Sequence, residues 1–309
     1  SGVRNQIFIL TPSTIEQIPS IVKHDLSPSV TSLDFAQILS QQSVKAGTVT
    51  RCHIEIDTGM GRTGFLWDDC LGDVLAIARL NGLKIDGLFS HFPVADSQDE
   101  NDKAYTMLQL RRFANVVEQY RRFDPDLPLV HISNSAGLTG FPIFGNAVRP
   151  GIVAYGVLPD PEMELPYKVE PVLTLKSQVV QIRELPKGWD LGYGRTYSTQ
   201  QDRERIAVIR CGYGDGLRRS LSNRGHVLIK GEKHPIVGRV SMDTIMVRLT
   251  RPDISPDDEV VIIGKQGDET ISTNDHAAWT DTIGYEILTG ISERVKRLYI
   301  RDGMVVGES

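Results

Sequence analysis

RCHIEIDTGMGRTGF, residues 51–65, is where the fold of this chain becomes readable. Residues 51–57 form a strand-length run rich in apolar and β-branched side chains. The chain then turns at Gly59 and Gly61 and sends out Arg62. A strand that ends in a glycine-rich turn bearing a charge is the kind of loop that builds a site in a parallel α/β sheet, where ligands bind beyond the carboxyl ends of the strands. Taken alone, the same residues also read as a plain turn with a surface arginine.

Working outward, further strand-like runs start near Ile7, Ser29, Ile85, Leu129 and Ile152, with helical patterns between several of them. The clearest helix is expected at about residues 99–123. There Ala104, Met107, Leu108, Phe113, Val117 and Tyr120 recur at three- and four-residue steps, with Arg111, Arg112 and Glu118 on the other side. This alternation predicts a parallel sheet with helices outside, closed as a barrel or open and doubly wound. No glycine-rich dinucleotide fingerprint opens the first strand–helix unit, which counts against a nucleotide-binding doubly wound sheet.

The character changes after Tyr155. Residues 158–171 carry four prolines and read as a crossover. Short strands follow at 173–182, 205–211, 225–231, 234–240, 244–249 and 258–264, punctuated by glycine and proline, with one helix at about 273–279. The expected organisation is an α/β domain over residues 1–165 and a mainly antiparallel β domain over residues 166–309.

The chain has 309 residues and a formal net charge of −5, with 39 acids against 34 bases. No lysine–arginine block suggests a nucleic acid or membrane partner. The longest apolar runs, such as 206–209 and 260–263, are strand-sized and too short to span a bilayer. No signal-peptide pattern opens the chain. Cys52, Cys70 and Cys211 are odd in number and lack C-x-x-C spacing, so buried, reduced thiols in a cytoplasmic protein are expected.

Beyond the Arg62 turn, polar groups gather at strand ends and in glycine-rich turns. His91 ends a strand, where an imidazole either satisfies a structural bond or shares a proton with a catalytic partner. His131-Ile132-Ser133-Asn134-Ser135 precedes a helix start, which a Ser or Asn caps and whose N–H groups also bind phosphate. At Arg149-Pro150-Gly151-Ile152, Gly151 allows close backbone approach beside a charge, and a plain edge turn fits equally. Tyr193, between Gly192 and Gly194, and Tyr213, in 212–216, are held by backbone and exposed. A phenol serves as a base only if cationic neighbours lower its pKa.

In their order along the chain, these motifs closely resemble alanine racemase, the pyridoxal-phosphate enzyme that interconverts L- and D-alanine. The matching segments are DTGMGRTGF, SHFPVAD, HISNSA, VRPGIVAYG, LGYGRTY, GYGDGLRR, GRVSMD and TIGYE. The resemblance implies an eight-stranded α/β barrel followed by a β domain, acting in D-alanine supply for peptidoglycan. It implies Tyr193 as a catalytic acid/base, with His91 hydrogen-bonding its phenol. Arg149 would approach the pyridine nitrogen, supported by His131, and Arg62 would face the cofactor phenolic oxygen and the substrate carboxylate. Ser135, the Gly151–Ile152 backbone and Tyr285 would hold the phosphate, with Asn134 beside Ser135. A homodimer is implied, in which the Met242 backbone completes the substrate carboxylate site of the partner subunit. Tyr213 and Tyr285 would form an inner gate, with Asp96 and Arg218 further out. No metal is implied.

The chain departs from the family pattern twice. The Lys–Ala–x–Ala–Tyr–Gly type segment that carries the cofactor lysine has no counterpart, and Lys23, Lys45, Lys84 and Lys103 stand in other contexts. By alignment that segment would lie upstream of Ser1, so about six of eight barrel strands are expected, the barrel being incomplete at its N-terminal end. At position 55 relatives often carry a carboxylated lysine. Glu55 would supply its carboxylate directly, and period-two geometry predicts a Glu55–Arg62 pair. Rival readings are a racemase for another amino acid such as serine, and a non-catalytic dimerisation or cofactor-binding protein. The paired gate tyrosines favour a small side chain, yet one extra hydroxyl is hard to exclude.

Overall fold

The computed structural model describes residues 2–138 and 140–309. It divides into two compact units, Ser1–Gly151 with Glu162–Tyr167, and Ile152–Pro161 with Lys168–Ser309.

The first unit alternates strand and helix: β1 (Phe8–Ile9), α1 (Ile18–Lys23), β2 (Ser27–Val30), α2 (Leu33–Lys45), β3 (Thr50–Asp57), β4 (Phe65–Leu66), α3 (Leu71–Ala78), β5 (Leu83–Phe89), α4 (Glu100–Arg121) and β6 (Leu129–His131). The strands pair in parallel in the order β1-β2-β3-β5-β6, with β4 beside β3. Parallel strands covered by helices are buried on both faces. Accordingly β3 buries Cys52, Ile54 and Ile56 on one side and His53 and Glu55 on the other. Helix starts follow capping chemistry: Ser32 accepts from Phe35 N, and Asp99 accepts from Asn101 N and Asp102 N. This is the α/β half expected from the sequence, an incomplete barrel sheet with its helices.

Two local expectations change. Residues 152–155 form a 3₁₀ turn rather than a strand, entered from Pro150-Gly151 and closed where Gly156 N donates to Val153 O. In α4 the buried stripe is Thr106, Gln109, Leu110, Phe113, Val116, Val117 and Tyr120, whereas Ala104 is exposed. Hydropathy misplaced the first turns of the stripe because two of its members are polar.

The second unit is antiparallel: β7 (Leu175–Leu185), β8 (Asp190–Leu191), β9 (Tyr197–Ser198), β10 (Glu204–Ile209), β11 (His226–Ile229), β12 (Glu232–Val237), β13 (Ile245–Arg248), β14 (Glu259–Gln266), β15 (Glu269–Ile271), then α5 (Thr273–Thr280), α6 (Gly284–Gly290) and a hairpin of β16 (Leu298–Arg301) and β17 (Met304–Glu308). The main sheet runs β11-β12-β13-β10-β7-β14-β15, and β14 also pairs with β11. That extra pairing closes β11, β12, β13, β10, β7 and β14 into a ring, with β15 left as an edge strand on β14. Val179, Ala207, Ile209, Val227, Val247 and Val260 fill the interior. This is the mainly antiparallel β domain expected from the sequence. No helix of the described residues is long and apolar enough to cross a membrane.

Gly156 follows the 3₁₀ turn at φ +73°, and a Cβ there would lie 1.9 Å from Glu170 O. Gly156→Ala is expected to destabilise the second unit by about 1–3 kcal/mol, since both the conformation and the backbone contact resist a side chain. The check is the chemical denaturation midpoint; an unchanged midpoint contradicts it.

Candidate functional site

In the first unit the carboxyl ends of β3, β5 and β6 lie side by side, because His53 is in register with Gly87, and Phe89 with His131. A Cβ at Gly87 would fall 2.5 Å from His53 Nδ1, so the glycine makes room for that ring. Beyond these strand ends two segments run together. Arg149 N donates to Ser133 O at 2.9 Å, and Gly151 N donates to Ser135 Oγ at 2.8 Å.

These contacts deliver the Arg149 guanidinium onto the strand ends. Its Nη1 donates to His131 Nδ1 at 2.5 Å and to His131 O at 3.3 Å. Its Nη2 donates to Ser90 O at 2.7 Å, Ile132 O at 3.2 Å and His91 Nδ1 at 3.2 Å. The cation also lies 5.4 Å over the Phe89 ring, which stacks on His131.

A guanidinium has no lone pair to offer, so both imidazoles accept through Nδ1 and carry their proton on Nε2. His131 Nε2–H in turn donates to His53 Nδ1 at 2.8 Å, and Phe8 stacks on His53 with ring centroids 4.4 Å apart. The result is an ordered chain, Arg149 to His131 to His53. The Asn134 amide nitrogen is 3.5 Å from His91 Nε2. Two donors face each other there, so the His91 Nε2–H meets no acceptor among the described residues.

The electrostatics keep these rings neutral. Burial first, then Arg149, lowers His91 to about 4 and His131 to about 2; burial lowers His53 to about 4. Burial also lowers Arg149 to about 10, opposed by Glu55 and reinforced by Arg62, so it stays charged at neutral pH. Burial raises the Glu55 carboxyl, offset by the Thr63 hydroxyl, Arg62 and Arg149.

The expected direct Glu55–Arg62 pair is replaced. Gly64, at φ +107°, lets the loop fold onto Glu55, where a Cβ would meet Glu55 O at 2.9 Å. That brings the Thr63 hydroxyl to 2.9 Å from Glu55 Oε2 and leaves Arg62 exposed, with no ion pair to Glu55 within 4.0 Å. Asp57 closes the turn by accepting from Gly59 N and Gly61 N. Asn134 uses its amide within the fold, donating to Phe92 O and accepting from Gly137 N. Asp96 stands in the turn after β5. Lys23, Lys45 and Lys84 are exposed, and Lys103 pairs with Glu100 at 2.9 Å.

In the second unit, Tyr193 is 71% exposed, held between Gly192 at φ +65° and Gly194 at φ +70°. Tyr213 and Met242 form one constellation. Tyr213 N donates to Ser241 O, Gly214 N donates to Met242 O, and Arg294 ties the two loops through Asp215 and Asp243. The Met242 N–H has no acceptor among the described residues. Arg218 donates to Glu286 O at 3.1 Å and pairs with the Glu286 carboxylate, next to Tyr285. A Cβ at Gly284 would lie 3.5 Å from Ile152 Cδ1, so the start of α6 packs on the turn that begins at Ile152.

His53, Ser90 and Gln109 are site neighbours that the sequence reading missed. His53 had a usable signal: it shares the period-two face of Glu55 and Asp57 in a strand buried on both sides.

An imidazole whose folded pKa is depressed stabilises the fold fully above its unfolded value, near 6.5, and that stability is lost as pH falls toward the folded value. For His53 the window runs from 6.5 down to about 4. His53→Gln is therefore expected to flatten the acid side of a stability–pH curve, by up to about 3 kcal/mol at its low end. Parallel wild-type and variant curves through that window would contradict this.

Comparison with known proteins gives these observations a common setting. The sequence models of the alanine racemase N-terminal and C-terminal domains match residues 1–159 and 172–299. The chain is 42% identical to alanine racemase of Halothermothrix orenii, over 97% of this chain and 78% of that protein. It is 40% identical to alanine racemase of Clostridium novyi, over 99% of this chain and 79% of that protein. Among solved structures, Bacillus anthracis alanine racemase with bound L-Ala-P superposes with TM-score 0.91 at 35% identity, covering 100% of this chain and 79% of that one. Bartonella henselae alanine racemase with covalently bound pyridoxal phosphate gives TM-score 0.81 at 29% identity, covering 96% and 79%. The chain belongs to the alanine racemase family of pyridoxal-phosphate-dependent isomerases.

Proposed function

We propose that this protein interconverts L- and D-alanine, supplying D-alanine for peptidoglycan, and that it does so in the cytoplasm as a homodimer. The observation that carries the reading is the Arg149 guanidinium held on neutral imidazoles at the strand ends.

The residues fit pyridoxal phosphate. A cation faces the ring site without a carboxylate bonded to it, and the buried Arg149 Nε and Ser133 Oγ have no hydrogen-bond partner. Ser135, the Gly151–Ile152 backbone and Tyr285 are the proposed phosphate contacts, with Asn134 steadying the loop beside Ser135. When bound, the cofactor withdraws electrons from the substrate so that its α-proton can leave. The N–H on Arg149 Nε, the one left without a partner, would serve the pyridine nitrogen, and the guanidinium would keep its own proton. A guanidinium there limits electron withdrawal, which suppresses side reactions such as transamination.

Racemisation removes a proton from one face and returns one to the other, so two bases are expected. Tyr193 is the proposed acid/base for one face. His91, fixed through Nδ1 by Arg149, is the proposed Nε2–H donor to its phenol, and a hydrogen bond to the charged form favours phenolate. Arg62, exposed and free of Glu55, is the proposed partner of the substrate carboxylate. In the dimer, the N–H of Met242 of the partner subunit is the proposed second contact to that carboxylate. Tyr213 and Tyr285 narrow the access path, with Asp96 and Arg218 outside them.

Because enantiomers have equal free energies, the protein expressed from its complete reading frame, with pyridoxal phosphate, is expected to bring L-alanine to an equal mixture. Tyr193→Phe keeps the ring and removes the hydroxyl. It is expected to slow racemisation by at least about 10²-fold. In deuterium oxide, exchange into one enantiomer should persist while exchange into the other is lost. Equal loss of solvent exchange into both enantiomers, or no slowing of racemisation, contradicts the assignment of Tyr193 to one face.

A further inference from the structure

Helix α4 carries Tyr105, Gln109 and Arg112 at steps of four and three, which places them on one stripe. All three reach the turn that follows β3. The Tyr105 hydroxyl donates to Gly59 O at 2.8 Å, and Arg112 Nη1 donates to Thr58 O at 2.9 Å. Gln109 goes further. It is 0% exposed, and its amide nitrogen donates to Thr58 Oγ1 at 3.4 Å and to His91 O at 3.2 Å. Thr58 Oγ1 is 2.7 Å from Ser90 Oγ, and Ser90 O accepts from Arg149. One amide therefore ties the turn that presents Arg62 to the strand end that presents His91 and receives Arg149.

The other end of that amide has no partner: Gln109 Oε1 is buried and unsatisfied. A buried, unpaired acceptor opposes folding, and an apolar side chain of the same shape would remove that cost. The orientation is not interchangeable, because His91 O needs a donor and only the amide nitrogen supplies one. The polar side chain thus has a return that packing alone does not give.

We infer that Gln109 is a positioning residue, whose two N–H donors set the Arg62 turn and His91 at a fixed separation for the reaction. The inference rests on the proposed racemase reading. Errors of about an ångström in such a separation cost up to about 10²-fold in rate.

The test compares wild type, Gln109→Met and Thr58→Val in the holoenzyme from the complete reading frame. Met keeps the volume and removes both donors; Val keeps the shape of Thr58 and removes the shared hydroxyl. Each variant is expected to lower kcat, Gln109→Met by about 10-fold or more, and by more than its change in denaturation midpoint accounts for, since Met relieves the unpaired Oε1 but leaves His91 O without its donor. The second readout is the imidazole titration of His91 by nitrogen-15 NMR, which needs no turnover. Its midpoint, about 4 in the intact site, is expected to move up toward 6.5 as the ring is released toward water. Wild-type kcat and an unmoved His91 titration in both variants overturn the inference, as does a fall in kcat that only tracks lost stability. If Gln109→Met does not fold, Thr58→Val decides by the same two readouts. If wild type forms no D-alanine, the functional reading fails, and the His91 titration still decides the role of Gln109.

Discussion

A half-buried guanidinium without a bonded carboxylate is the constraint around which the first unit is arranged. Arg149 is held by three backbone carbonyls and two imidazole nitrogens. None of these acceptors carries a formal charge, so the cation keeps its field for whatever faces it. The arrangement works only if the imidazoles stay neutral, and their burial beside the cation ensures that. The carbonyls come from the ends of β5 and β6 and the residues just beyond. The parallel register is therefore what brings the acceptors to one place.

The same constraint explains features that look unrelated in the sequence. Gly87 is needed because His53 must lie beside it to receive the His131 proton. Ser90 serves through its carbonyl to Arg149 and its hydroxyl to Thr58. Glu55 is unusual for a strand interior, but its carboxylate is the anion that most raises the Arg149 pKa, and Thr63 rather than Arg62 bonds to it. In the second unit a comparable economy holds for the loops of Tyr213 and Met242, which bond through backbone and share Arg294. Tyr193 needs only its flanking glycines to stand clear of the fold.

Much of this was legible before any coordinates. Alternating strands and helices, then proline-rich crossover and short strands, sufficed for both architectures, because burial period and turn residues act locally. Tyr193 was legible because glycines on both sides leave a phenol nowhere to be buried. Of the Arg149 network only the His131 contact was implied, and that by the resemblance; its bonds to Ser90, His91 and Ile132 were not legible, since these partners lie 17–59 residues away and depend on parallel register. Gln109 was hidden for a different reason: an amphipathic reading assigns an amide to solvent. The expected Glu55–Arg62 pair followed strand periodicity past the point where Gly59 and Gly61, both at positive φ, had already turned the chain.

The central claim is that Arg149 is held by neutral imidazoles of one tautomer. Nitrogen-15 NMR of histidine-labelled protein near neutral pH measures this directly, because protonated and unprotonated ring nitrogens have distinct shifts. The account predicts that His131 and His91 each show an unprotonated Nδ1 and a protonated Nε2, and that the Arg149→Lys variant disturbs both signals. An imidazolium pattern at His131, or a proton on its Nδ1, would contradict it.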